Sequence, residues 1–321
     1  MTKKILPILP KRYPTQNCLE NCIANYCDAI NEDFRAMFLF SWSFGYHVLK
    51  VKEGERLDYP HSFNLDYDGY ILLYEKLYPN ISLKSVDIDV KTLYQKCLEG
   101  AVFAIGIDSF DCHWNLAYHK YHYQHYYLLT INIDKPENFI AIDSFSTLEV
   151  IDFDKNILNY SKKCYIIEQT QVEVNKDILR KKIIKEFYEV LLSTEKKELS
   201  DSINKFKYEL QNIKSIDNLF PITSDASNTF LIIRLSYISN SRYNTKLFFE
   251  YINLDNSYIE SIQNIYERWE ILKNIFIKIF ISRNVKLLIQ VSSELTNILN
   301  LEKKLCEDII KLLDNKFENC N

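Results

Sequence analysis

The chain has 321 residues, 47% of them hydrophobic and 26% charged, with a formal net charge of -4. Its length exceeds the usual single core of about 100 to 200 residues, so two domains are expected. The acidic balance argues against a nucleic-acid binder, whose phosphate contacts need a basic face, and the 5 glycines fall in neither GxGxxG nor GxxxxGK[ST] spacing, which argues against a Rossmann or P-loop nucleotide site.

Residues 4–14 carry Pro7, Pro10 and Pro14 and read as an extended segment, not as the apolar core of a signal peptide. No run reaches the ~18 apolar residues of a membrane span, so a cytoplasmic protein with no membrane partner is expected, and its 8 cysteines are then mostly reduced. Asn17 is a good N-cap, which predicts a helix through residue 30 with Cys18 in the first turn and Cys22 and Cys27 deeper. Residues 33–44 read as an aromatic helix or turn, 46–51 as a short strand, and 68–78 and 88–99 as helices, with Gly100 ending the second.

The apolar runs 102–107, 126–133 and 139–142 predict three successive strands, followed by strand-like runs at 148–153 and 164–174. Helices before a meandering sheet give an α+β layout for residues 1–174. From 175 the pattern becomes amphipathic helix: two helices over 175–214 broken near Ser193-Thr194, a polar connection at 221–228, then helices at 229–240, 258–280 and 285–317. Residues 175–321 are therefore read as a helical domain without internal repeats.

The segment between the first two central strands, 108–125, holds His113, His119, His122 and His125, four of the 6 histidines. His125 stands apart because it directly precedes the buried run 126–131, where the backbone fixes its direction. Asp143 ends the neighbouring strand, and across a hairpin it is placed to orient the imidazole. Either residue alone has a plainer role, a turn start for Asp143 and a loop position for the histidine; their pairing is what raises them. The other three histidines are read as loop or substrate contacts. Metal-binding histidines usually come with carboxylates at tight spacing, whereas this loop is aromatic and tyrosine-laden, and Cys18, Cys22 and Cys27 lack the paired CxxC of a zinc knuckle, so neither a metal nor a cofactor is expected.

The missing nucleophile is expected near the N-terminus. A thiolate at a helix start is favoured by the macrodipole and the unpaired N–H groups, which also suit an oxyanion. This puts Cys18 first. Papain-like enzymes carry a glutamine several residues before the nucleophile, and from Gln16 that longer spacing fits Cys22, which remains the second candidate.

The runs Val102-Phe-Ala-Ile-Gly-Ile-Asp-Ser-Phe, Asn115-Leu-Ala-Tyr-His-Lys-Tyr-His, His125-Tyr-Tyr-Leu-Leu-Thr-Ile and Ile142-Asp143 resemble the papain-like acyltransferases typified by the butirosin biosynthesis acyltransferase. Cys18 with Ile23 and Asn25, and the segment from Met37 to Tyr46, is similar to that family's cysteine helix and aromatic-glycine segment. Leu19 and Glu20, and Ser41 and Ser43 in place of glycines, depart from it and leave the acceptor open. The resemblance, over roughly residues 15–150, implies a papain-like cysteine-protease fold, an N-terminal helix packed on an antiparallel sheet, followed by the helical domain. It also implies an N-acyltransferase of thiotemplated antibiotic biosynthesis. Such an enzyme takes an acyl group from the phosphopantetheine thioester of an acyl or peptidyl carrier protein and passes it to a small-molecule amine, a diamine such as diaminopropane among them. The alternative with the same triad is a cysteine peptidase or amidase.

Overall fold

The computed structural model describes residues 6–42, 45–46, 63–64, 77–87, 89–170, 172–192, 195–213, 220 and 229–318. In chain order the elements are α1 (Cys18–Ala29), β1 (Gly45–Tyr46), β2 (Phe63–Asn64), β3 (Ile81–Ser85), α2 (Val90–Leu98), β4 (Val102–Asp108), β5 (Gln124–Ile131), β6 (Phe139–Ile142), β7 (Val150–Asp152), β8 (Ser161–Gln169), α3 (Lys176–Leu192), α4 (Glu195–Gln211), α5 (Phe230–Tyr251), α6 (Asn256–Ser282) and α7 (Leu288–Glu318). The architecture is α+β. The chain groups into two compact units, one of Met1–Met37 with Asp68–Lys176, the other of Phe38–Tyr67 with Asp177–Asn321. The expected helix at 68–78 and strand at 46–51 fall almost wholly outside the described residues.

The first unit is built on a six-stranded antiparallel sheet in the order β3-β8-β4-β5-β6-β7. Strands β4 to β7 form the expected meander, but β8 does not extend it. It returns to lie between β3 and β4, pairing Ile81 with Gln169 on one side and Val102 with Ile167 on the other. Strand β3 has no counterpart in the sequence reading, because only its Ile81 and Leu83 are buried and so short an alternation is a faint signal.

Burial is nearly continuous along β4 and β5, as expected of central strands covered on both faces. Phe103, Ile105, Ile107, Tyr127, Leu129 and Ile131 join Leu93 and Cys97 of α2 in one cluster, and α1 packs against β5. Helix α2 starts on an Asp89 cap to the Thr92 N–H and is followed by Gly100 at φ 89, the left-handed geometry that glycine adopts without penalty.

The second unit is helical, with α6 packed between α5 and α7 and α4 against α7. At its centre Arg242 and Glu302 form a fully buried bidentate pair at 3.0 and 3.1 Å. The indole N–H groups of Trp269 and Trp42 donate to the same carboxylate, so the buried charge is neutralised and its lone pairs are used. No helix among the described residues is long and apolar enough to cross a membrane.

Candidate functional site

Helix α1 starts with a capping box. The Asn17 side chain accepts the Glu20 N–H at 2.9 Å, and the Glu20 carboxylate accepts the Asn17 N–H at 2.9 Å. Cys18 is thus the first helical residue, half-buried at the positive end of the dipole. Cys22 and Cys27 lie fully inside the fold. Burial, with the charges of Cys18 and Asp143, pushes the Cys22 thiol well up, and burial with the neighbouring carboxylates does the same for Cys27.

His125 is the second residue of β5, opposite Ile107, rather than at the strand's mouth as expected, because β4 continues to Asp108 and pairs with Gln124. The β5–β6 register sets Leu128 against Ile142. Continued by one residue it puts Asp143 opposite Tyr127, on the face His125 also occupies. There His125 Nε2 and Asp143 Oδ2 lie 2.6 Å apart, with both side chains 1% exposed. Trp114 Nε1 donates to the same oxygen at 2.7 Å, and the Ser146 N–H donates to Oδ1 at 3.2 Å.

Burial alone would raise the Asp143 pKa, but the hydrogen bond and charge of His125, aided by Ser146 and Trp114, hold it below the ordinary value. For His125, burial works against the imidazolium, yet the hydrogen bonds and charges of Asp143 and Cys18 outweigh it and push the pKa up to about 10. With Nε2 committed to Asp143, Nδ1 is the nitrogen left for the thiol; it is buried and has no other well-formed hydrogen bond. Of the two candidate cysteines, Cys18 is the one whose charge helps hold the His125 pKa up.

The other three histidines of this segment stand apart from the pair. His122 stacks on Phe110 at 4.3 Å and meets Asp108 at 3.1 Å near the surface. His119, at φ 54, stacks on Tyr118 at 3.9 Å, and His113 packs edge-on against Trp114. Among the described residues, the metal-ligand atoms that do converge are those of Cys112, His125 and Asp143.

Sequence reasoning missed the clamp that joins α1 to the Asp143 turn. Asn25 Nδ2 donates to Ser144 Oγ at 2.8 Å, and Ser144 Oγ approaches Asn21 Oδ1 at 3.4 Å, all three side chains being buried. The same asparagines hold the segment before the helix, through Tyr13 N to Asn21 Oδ1 at 3.0 Å and Lys11 N to Asn25 Oδ1 at 2.7 Å. Two asparagines four apart beside Cys22, Ile23 and Tyr26 on the buried part of a helix were the available signal. Ser144→Ala is expected to cost about 1 kcal/mol of stability, the usual net worth of one hydrogen bond, and to lower turnover several-fold through the spacing of Cys18 from His125. Ser144→Thr, which keeps the hydroxyl, should restore kcat; thermal melts and steady-state kinetics of the two variants check this.

Comparison with protein-family models and with curated proteins gives no match to the chain.

Proposed function

We propose that the chain is a cysteine-dependent N-acyltransferase of papain-like arrangement, with Cys18 as nucleophile, His125 as acid and base, and Asp143 as the residue that holds the imidazole. The observation that carries this reading is the buried His125–Asp143 pair, with a half-buried thiol at the start of α1 whose charge helps raise the His125 pKa. The Cys18 thiolate attacks the carbonyl of a carrier-protein phosphopantetheine thioester, and the departing pantetheine sulfur takes the proton from the imidazolium. An amine then attacks the acyl-cysteine. Nδ1 of His125 removes the amine proton, the Cys18 thiolate leaves, and an amide forms without ATP.

The first N–H groups of α1 stabilise the tetrahedral oxyanion. Gln16, 2% exposed with neither amide atom bonded, is assigned as a side-chain donor to it. Aromatic rings border the pair, Phe145 at 5.9 Å from the His125 ring and Trp114 on the carboxylate side. They keep water from the acyl-enzyme, and that favours transfer over the hydrolysis of a peptidase or amidase.

The test is incubation with acyl-loaded carrier protein and a diamine such as diaminopropane, with both products quantified by mass spectrometry. Amide in excess of free acid is expected. Free acid alone would replace the transferase by a hydrolase with the same triad, and no consumption of the thioester would remove the reading.

A further inference from the structure

Cys112 has no part in the acyl transfer described above, yet it is fully buried beside the pair that carries it. Its thiol sulfur, a ring nitrogen of His125 and a carboxylate oxygen of Asp143 all lie within 4.8 Å of one another, and the three residues are 0%, 0% and 1% exposed. The loop holds Cys112 in place through its N–H to Ser109 O at 3.2 Å and its carbonyl to the Asn115 N–H at 2.9 Å. Burial, with the Asp143 charge, pushes the Cys112 thiol up, and the backbone N–H groups of Trp114 and Asn115 offset this only in part. A sulfur, an imidazole and a carboxylate together match the ligand preferences of zinc rather than of calcium or magnesium.

We propose that Cys112, His125 and Asp143 form a site for a thiophilic divalent cation, zinc foremost, and that its occupation withdraws His125 and Asp143 from acyl transfer. The regulatory half of this statement rests on the proposed function; the binding does not. On entry the ion takes the place of the proton between His125 and Asp143. Those atoms move from 2.6 Å apart towards the roughly 3.3 Å that two ligands of a tetrahedral zinc with ~2.0 Å bonds require. Two protons leave, one from the Cys112 thiol and one from the imidazolium. The dication, thiolate, carboxylate and neutral imidazole then sum to zero charge, as a buried site demands. Because both protons compete with the ion, affinity should rise up to about 100-fold per pH unit while both groups are protonated in the free protein.

Cobalt(II) titration of the purified full-length chain tests the binding by absorbance, independently of any activity. The expected result is saturation at one equivalent, a thiolate-to-cobalt charge-transfer band with tetrahedral visible bands, and displacement by zinc. Cys112→Ser should abolish the charge-transfer band, and Cys18→Ala should keep it. Should Cys112→Ser fail to fold, as judged by circular dichroism, Asp143→Asn serves as the second variant and should weaken zinc at least about 10-fold. Absence of the charge-transfer band, its loss in Cys18→Ala, or unchanged zinc affinity in Asp143→Asn would overturn the site. Zinc binding without inhibition of an active enzyme would overturn its regulatory role alone.

Discussion

Cys18→Ala is expected to abolish both the acyl-enzyme and the amide product, a loss of at least about 1,000-fold, as for other nucleophiles that act as one unit with their base. The melting temperature should hardly move. Cys18 is half-buried at a position where the cap comes from Asn17 and Glu20, whose reciprocal bonds the substitution leaves intact, and alanine is a good residue inside a helix. Cys22→Ala should do the opposite. Its sulfur lies fully inside the fold, so truncation leaves a small cavity and costs stability, while turnover per folded molecule persists. A fully active Cys18→Ala beside an inactive Cys22→Ala would move the nucleophile one turn along α1 and defeat the helix-start argument.

The second large effect is expected at Asp143. Asp143→Asn keeps the shape but can present its amide N–H to Nε2, favouring the tautomer with the proton on Nδ1, where the base must be free. Activity should fall by about 100- to 10,000-fold. His125→Ala should lose about 100-fold or more, whereas His119→Ala and His122→Ala should lose far less, since those rings stack on Tyr118 and Phe110 away from the pair.

The Asn variant also carries a pH signature. Burial lowers the His125 pKa, and the bonds and charges of Asp143 and Cys18 overcome it to reach about 10. Without the carboxylate charge, one of those supports is gone and burial remains, so the ring should titrate at lower pH. A raised folded-state pKa gives stability that is complete below the unfolded value of about 6.5 and lost as pH rises through the folded one. That loss should therefore be smaller and end at lower pH in Asp143→Asn. Ring-proton NMR across pH 6 to 10 reads it directly, and an unmoved titration together with full activity would reduce Asp143 to a turn former.

How legible this was depended on how local each feature is. Strands β4 to β6 were readable because their apolar runs are continuous, and the start of α1 because Asn17 is a strong N-cap residue directly before it. The placement of β8 between β3 and β4 was not, since it depends on pairings such as Ile81 with Gln169 that no local pattern encodes. Helix α5 runs to Tyr251, beyond the stop expected at 240. Ser239 and Ser241, which look like breakers, turn their hydroxyls back onto the carbonyls of Ser236 and Ile238 and leave the helix unbroken. Within the site, His125 and Asp143 were readable as the ends of neighbouring strands. Trp114, Cys112 and the Ser144 clamp were not, because each reaches the pair from a loop or helix whose course only the folded chain defines.

The most direct test of the account is intact-mass analysis of the protein after mixing with acyl-loaded carrier protein and no amine, followed by peptide mapping. A mass increase of one acyl group, located on Cys18 and discharged as amide when a diamine is added, is the predicted result. An unmodified protein that nevertheless turns over, or an acyl group carried on another cysteine, would contradict it.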